Sequence, residues 1–153
     1  MRHLLTLLVA LALSSHAFAQ GGLDQEAKAF FARYAALGDA FDPAVADFYS
    51  DEAVIRAFRR YPHGLERSME ISGAQWKSLV RKVMPLAKAQ NDRSEYRDPR
   101  FEKAGDRVKI SAKRYSVRKC YWDPSYYMVL EKQRGGSLKI VEEYTETQPQ
   151  SDC

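Results

Sequence analysis

Apolar residues recur at two different spacings along this chain, and the change from one to the other divides it. In the first half, Leu23, Ala27, Phe30, Phe31, Tyr34 and Leu37 return every three or four positions, the spacing of one helix face, and Gly38 closes the element. Asp42-Pro43 is an N-cap followed by proline at the first helical position. It opens a short second helix carrying Val45, Phe48 and Tyr49. Ala53–Tyr61 reads as a strand loaded with arginine (Arg56, Arg59, Arg60) and broken by Pro62-His63-Gly64. Ser72 and Gln75 have capping-box spacing ahead of Trp76, Leu79, Val80, Val83 and Leu86, the apolar stripe of a third helix that Pro85 kinks or ends.

The second half alternates instead. Ser94–Phe101 predicts a strand that Pro99 interrupts or displaces to a sheet edge. After Gly105-Asp106, Arg107–Lys119 places Val108, Ile110 and Ala112 at period two, Tyr126–Glu131 is apolar on both faces, and Leu138–Tyr144 alternates again. The connections Tyr121–Ser125 and Arg134–Ser137 are too short for a parallel crossover, so these three strands form an antiparallel meander. The element order α-α-β-α-β-β-β-β predicts an α+β fold, a curved antiparallel sheet with three helices on its concave face. No internal repeat, low-complexity segment or linker interrupts it.

The start of the chain reads differently. Met1-Arg2-His3 is basic, Leu4–Leu13 is apolar, and Ala17-Phe18-Ala19 is a small-x-small cleavage site, together a secretory signal peptide cut after Ala19. The apolar run falls short of the ~20 residues of a membrane span, and no cysteine follows the cut to carry a lipid. The expected organisation is a leader over residues 1–19, a domain over 20–147 beginning with a flexible Gln20–Gly22, and a tail over 148–153. The expected destination is the periplasm or the exterior.

Charge adds an exclusion. Losing Arg2 takes the formal net charge of +4 to about +3, and the basic pairs Arg59-Arg60, Arg81-Lys82, Lys113-Arg114 and Arg118-Lys119 are dispersed. That pattern argues against a nucleic-acid partner and fits a solvated surface, or contact with anionic envelope components. Past the leader only His63 remains, in a loop between Pro62 and Gly64, so no histidine-based metal cluster is implied and no cofactor either. Cys120 and Cys153 are the two cysteines. The first and third meander strands run parallel and finish at the same sheet edge, which predicts a structural disulfide between them in an oxidising compartment.

Gly38-Asp39 after the first helix, Tyr49-Ser50-Asp51-Glu52-Ala53 leading into the first strand, and Leu138-Lys139-Ile140-Val141-Glu142-Glu143-Tyr144 as last strand resemble the nuclear transport factor 2-like superfamily. This is the cystatin-like cone of ketosteroid isomerases and polyketide cyclases, and the resemblance spans Leu23–Thr147. It implies a pocket between the helices and the concave sheet face that holds an apolar ligand in many members, and dimerisation through the sheet in a number of them. It also implies where isomerase chemistry would sit. The oxyanion-hole tyrosine of the first helix falls on Phe31, the general-base aspartate of the first strand on Ala57, and the protonated aspartate of the penultimate strand near Tyr126. Phenylalanine and alanine neither donate nor abstract a proton, so that chemistry is excluded. The Asp–Arg–Asp set of the superfamily's epoxide hydrolases is not found either.

Period two supplies the candidate site. With Val108, Ile110 and Ala112 facing the helices, Arg114 and Ser116 share the concave face, Tyr126 and Met128 lie beside them, and Arg59 shares the inward face of Ala57. The facing of the last strand depends on the turn: three residues would pair Met128 with Glu142, two would bring in Glu143 and Thr145. The candidate ligand-binding residues are Phe31, Tyr34, Arg59, Trp76, Arg114, Tyr126 and Glu142. Arg114, Glu142 and Tyr126 would form a polar cluster at the mouth of a cavity lined by Tyr34 and Trp76. That cluster either holds a polar ligand head or is an internal ion pair. The opposite sheet face carries Tyr127 and Val129, with Tyr115 and Val117, and either buries a homodimer interface or lies under the stems of Lys109, Lys113 and Lys139. Three functions follow: a non-catalytic module binding a small molecule or an envelope protein; an isomerase, cyclase or hydrolase using Glu142, Tyr126 and Arg114; or a structural envelope dimer.

Overall fold

The structure is a computed structural model and describes residues 15–153, with side chains from Gly22 onward. The first apolar stripe is helix α1, Ser15–Asp39, which buries Ala27, Phe31 and Tyr34. It begins earlier than the sequence predicts. Gln20–Gly22, expected as a flexible start, lie inside it, because a helix nucleated over its packed Ala27–Tyr34 face extends residue by residue even at the ~1 kcal/mol each glycine costs. Of the expected leader, Met1–Ser14 lie outside the described residues. Asp42 accepts a hydrogen bond from the Ala44 amide at 2.8 Å and caps a 3-10 helix, Pro43–Phe48, that buries Val45, Ala46 and Phe48.

The strands are β1 (Tyr49–Arg60), β2 (Glu66–Ser72), β3 (Ser94–Ala104), β4 (Arg107–Ser116), β5 (Tyr121–Asp123), β6 (Tyr127–Lys132) and β7 (Leu138–Thr147), with helix α2 (Gly73–Ala89) between β2 and β3. They form one sheet in the order β2-β1-β7-β6-β4-β3, with β5 paired to β4. The sheet is antiparallel except where β1 runs parallel to β7. The meander β4-β6-β7 is the one the alternation predicts. Asp98, at φ 53°, and Pro99 lie at a register shift in β3, which is an edge strand.

Two strands escape the pattern argument. β2 is almost entirely exposed, and its alternation is short, two apolar residues, Met69 and Ile71, of which Ile71 packs against the core. It forms because the turn at Gly64, with φ 87°, folds the chain back into an antiparallel ladder on β1 from Val54↔Ser72 to Arg60↔Glu66, which also sets Glu70 opposite Arg56 and Glu66 opposite Arg60 as ion pairs of 2.9 and 2.8 Å. β5 occupies part of the Tyr121–Ser125 connection, held by pairing to the end of β4.

Helix α2 has both halves of its capping box, with Ser72 accepting from the Gln75 amide. Gly73, its first residue, sits on the Ser50 carbonyl, where an added Cβ would lie 1.8 Å from the oxygen. The stripe expected to face the core divides. Trp76, Val80 and Met84 pack against it, whereas Leu79, Val83 and Leu86 are 42%, 41% and 58% exposed. The helix rests on β1 and the 3-10 helix, so only a narrow face is covered.

Val108, Ile110, Ala112, Tyr126, Met128, Leu130 and Ile140 from the sheet close on Phe31, Tyr34 and Val80 from the helices. Each large apolar side chain buried this way stabilises the fold by roughly 1.5–3 kcal/mol. At the far edge Cys120 and Cys153 are joined, their Cα atoms 5.4 Å apart.

Candidate functional site

The facing of β7 is settled by a bulge. Lys132 pairs with Leu138 across a turn in which the Gln133 amide donates to the Ser137 carbonyl, and Ile140 faces the core opposite Leu130. One residue later the register slips: Val129 pairs with Glu142, leaving Val141 as the extra residue. A bulge of one residue reverses the parity of everything beyond it. Glu143 therefore points inward and is buried, while Glu142, the residue expected at the site, faces the opposite side. There it accepts from Tyr127 Oη at 2.6 Å and pairs with Arg56 at 3.0 Å.

Glu143 is the centre of the cone interior. Tyr34 of α1 and Tyr126, just before β6, donate to its Oε1 at 3.1 and 2.8 Å, and Tyr49, the first residue of β1, donates to Oε2 at 2.7 Å. The hydroxyls of Tyr34 and Tyr49 lie 3.0 Å apart, and Tyr96 of β3 packs its ring 5.2 Å from that of Tyr126. Glu143 is 3% exposed and its three tyrosine donors are all buried.

Burial sets the electrostatics. Desolvation pushes the Glu143 carboxyl above its ordinary value, and the tyrosine hydrogen bonds and the charge of Arg114 pull the other way without cancelling it. Tyr34, Tyr49 and Tyr126 are pushed well above theirs, first by burial and then by the neighbouring carboxylate. Chemically, the cluster can hold a proton or a negative charge on Glu143 with its oxygens fully supplied by donors.

Arg114 does not join Glu142. Its guanidinium donates to Ser94 Oγ at 3.1 Å, the Glu146 carbonyl at 3.2 Å and Asp123 at 3.4 Å. Asp123, 1% exposed, is pushed up by burial and held back by donation from the Glu146 and Ser125 amides at 2.8 and 3.0 Å, as well as by Arg114. Arg59 donates to Thr147 Oγ1 at 3.0 Å, and Phe31 packs against Tyr96 and Phe101. The Trp76 ring lies 6.3 Å from that of Tyr49, with its indole N–H buried and without a hydrogen-bond partner among the described residues. Of the expected residues, the structure thus unites Tyr34 and Tyr126. The sequence reading missed Tyr49, assigned to a helix, and Tyr96 and Asp123. Glu143 was one of the two parities left open.

Two surface clefts lie away from this cluster. One of about 560 Å³ lies between the end of β1, β5 and the C-terminal tail; another of about 280 Å³ lies over β1 and β2 beside Tyr144. Neither is lined by Glu143 or its tyrosines. Among the described residues, no group of three His, Cys, Asp or Glu could hold a metal, and no helix is long and apolar enough to cross a membrane.

No protein-family model and no curated protein matches the chain. Solved structures do. A nuclear transport factor 2-like protein of unknown function from Pseudomonas putida superposes with a TM-score of 0.61 at 14% identity, over 82% of this chain and 87% of that one. A nuclear transport factor 2-like protein with a cystatin-like fold from Novosphingobium aromaticivorans superposes at 0.56 and 12%, over 94% and 95%. ActVI-ORFA from Streptomyces coelicolor superposes at 0.53 and 15%, over 81% and 96%. Together with the helices laid on the curved sheet, this likeness establishes the architecture: the chain has the nuclear transport factor 2-like, cystatin-like fold.

Proposed function

We propose that this is an exported, non-catalytic binding protein built on that fold, taking a small molecule or an envelope protein on its surface. The observation that carries the reading is the closure of the cone interior by the protein's own side chains. Glu143 spends both carboxylate oxygens on Tyr34, Tyr49 and Tyr126 and is 3% exposed. A general acid or base has to reach its substrate, and this carboxyl is walled in. Export rests on the leader pattern of Met1–Ala19 and on the Cys120–Cys153 bond, which suits an oxidising compartment.

A second reading has one observation in its favour. A carboxyl raised by burial and hydrogen-bonded to a tyrosine is a suitable proton carrier, so Glu143 would take the place expected for Glu142 in an enzyme that opens around its substrate. Mass spectrometry of the protein purified under native conditions, with Glu143→Gln alongside, separates the two. A co-purifying molecule retained unchanged by both proteins is the expected result. Conversion of that molecule by the wild type and not by Glu143→Gln would overturn the binding reading.

A further inference from the structure

Helix α2 leaves uncovered a side that the core does not use. Leu79, Val83 and Leu86 follow at spacings of four and three, so their side chains form one stripe, and all three are exposed. Ala74, Ser78, Pro85 and Ala89 are exposed on the same helix. Its charged residues are Lys77, Arg81, Lys82 and Lys88, with no carboxylate among them. An apolar stripe flanked by cations alone is the composition of a helix that lies in the plane of a membrane surface.

Some of these cations are engaged within the fold. Lys77 pairs with Asp51 at 2.7 Å and Arg81 with Asp47, and these pairs moor the flank of α2 that meets the 3-10 helix and the start of β1. The others are not: among the described residues no ion pair includes Lys82 or Lys88. Lys82 comes three residues after Leu79 and four before Leu86, at the border of the stripe. The acidic residues nearest the helix in sequence, Glu70 before it and Asp92 after it, are held by Arg56 and Arg118. The uncovered side of α2 is therefore apolar and positive. Its shape narrows the occupant further. A helix is a convex ridge, whereas a small molecule needs a concavity, and neither cleft is lined by a residue of α2. A second copy packed stripe to stripe about a twofold axis would set Lys82, midway along the stripe, against its own copy. A broad anionic surface satisfies both the stripe and the lysines.

We propose that α2 docks the protein on a bilayer rich in anionic phospholipid, with Leu79, Val83 and Leu86 entering the headgroup boundary and Lys82 and Lys88 meeting the phosphates. This surface lies outside the cone interior and both clefts, so the proposal goes beyond the binding reading above and does not depend on it. The probe is a vesicle of brominated phosphatidylglycerol and phosphatidylcholine. It is read through Trp76, three residues before Leu79 at the border of the stripe, in a Trp122→Phe background that leaves no other tryptophan. This local readout separates the seating of α2 from any contact made by the apolar leader. Saturable quenching of Trp76 is expected at low salt, and far less of it with brominated phosphatidylcholine alone. Lys82→Gln and Lys88→Gln should each weaken vesicle binding about fivefold, and Val83→Ser with Leu86→Ser about tenfold or more. All four side chains are exposed, and circular dichroism verifies that the fold persists in each variant. The proposal is overturned if Trp76 is not quenched, if the serine pair leaves quenching unchanged, or if phosphatidylcholine alone supports it equally. Quenching that about 1 M salt, with screening within ~3 Å, leaves untouched overturns it as well. Binding of poly-glutamate that the same variants abolish, without quenching by lipid, would give the surface to an acidic protein instead. Failure here removes the membrane contact alone; turnover dependent on Glu143 removes the binding reading.

Discussion

Glu143 is a carboxyl whose burial works against its charge and whose three tyrosines work for it, and burial wins. Its pKa is therefore higher in the folded chain than in the unfolded one. A raised carboxyl contributes stability that is complete below the ordinary glutamate range and is lost as pH rises through the folded value. Glu143→Gln, neutral at every pH, carries no such dependence. Urea unfolding across a pH series should show wild type losing ground to Glu143→Gln from acid towards neutral pH. A difference that stays flat would mean that the tyrosine donors offset burial completely. Gly73 is the other residue with a sharp expectation. A methyl group there meets the Ser50 carbonyl and Ala53 Cβ, and both are backbone-anchored. Gly73→Ala should cost ~2–3 kcal/mol by the same measurement, the upper range for overpacking. Neither residue reveals itself in sequence. Glu143 and Glu142 are chemically identical neighbours, and Gly73 reads as an ordinary small residue after a cap.

At the level of elements, local chemistry was legible wherever it is self-contained. The Asp42 cap, the Ser72–Gln75 box and the period-two runs of β4 and β7 each specify structure with few partners. β2 was not legible because its alternation covers only Met69 and Ile71, and it is held by its backbone ladder to β1, with exposed cross-strand ion pairs beside it. The α2 stripe was legible as a helix but not as a facing, since Leu79 and Val83 stay exposed where the helix has nothing above it. The disulfide belongs to this scale too. It spans 33 residues, and closing such a loop is worth about 3–4 kcal/mol by chain entropy. Cys120→Ser should lower the unfolding free energy by about that amount, and no thiol should label in the folded, unreduced wild type.

For the whole molecule, one half-buried aromatic surface is the outer sheet face. Tyr127 and Tyr144 stack there at 5.5 Å beside Val129, and of the three lysines that could cover them only Lys109 does so, 4.4 Å from the Tyr127 ring. Lys113 is drawn to Asp98 and Lys139 to the backbone of Asp47. A half-covered aromatic face of this kind is expected to pair with its copy. Sedimentation equilibrium should give a dimer that Val129→Lys dissociates, whereas a monomer at high micromolar concentration would reduce the face to intrachain packing.

The sequence alone determined the three helices and the strands other than β2 and β5, the meander, the cysteine pairing and the inward face of β4, because each is written in spacing or in short connections. Tertiary structure decided which glutamate enters the cone, since one extra residue at Val141 exchanges the two faces of everything after it. It also decided that three tyrosines from distant parts of the chain converge on that glutamate and fill the interior. A contact among residues 34, 49, 126 and 143 costs the chain nothing it can signal locally, and exists only once helix and sheet have closed on each other.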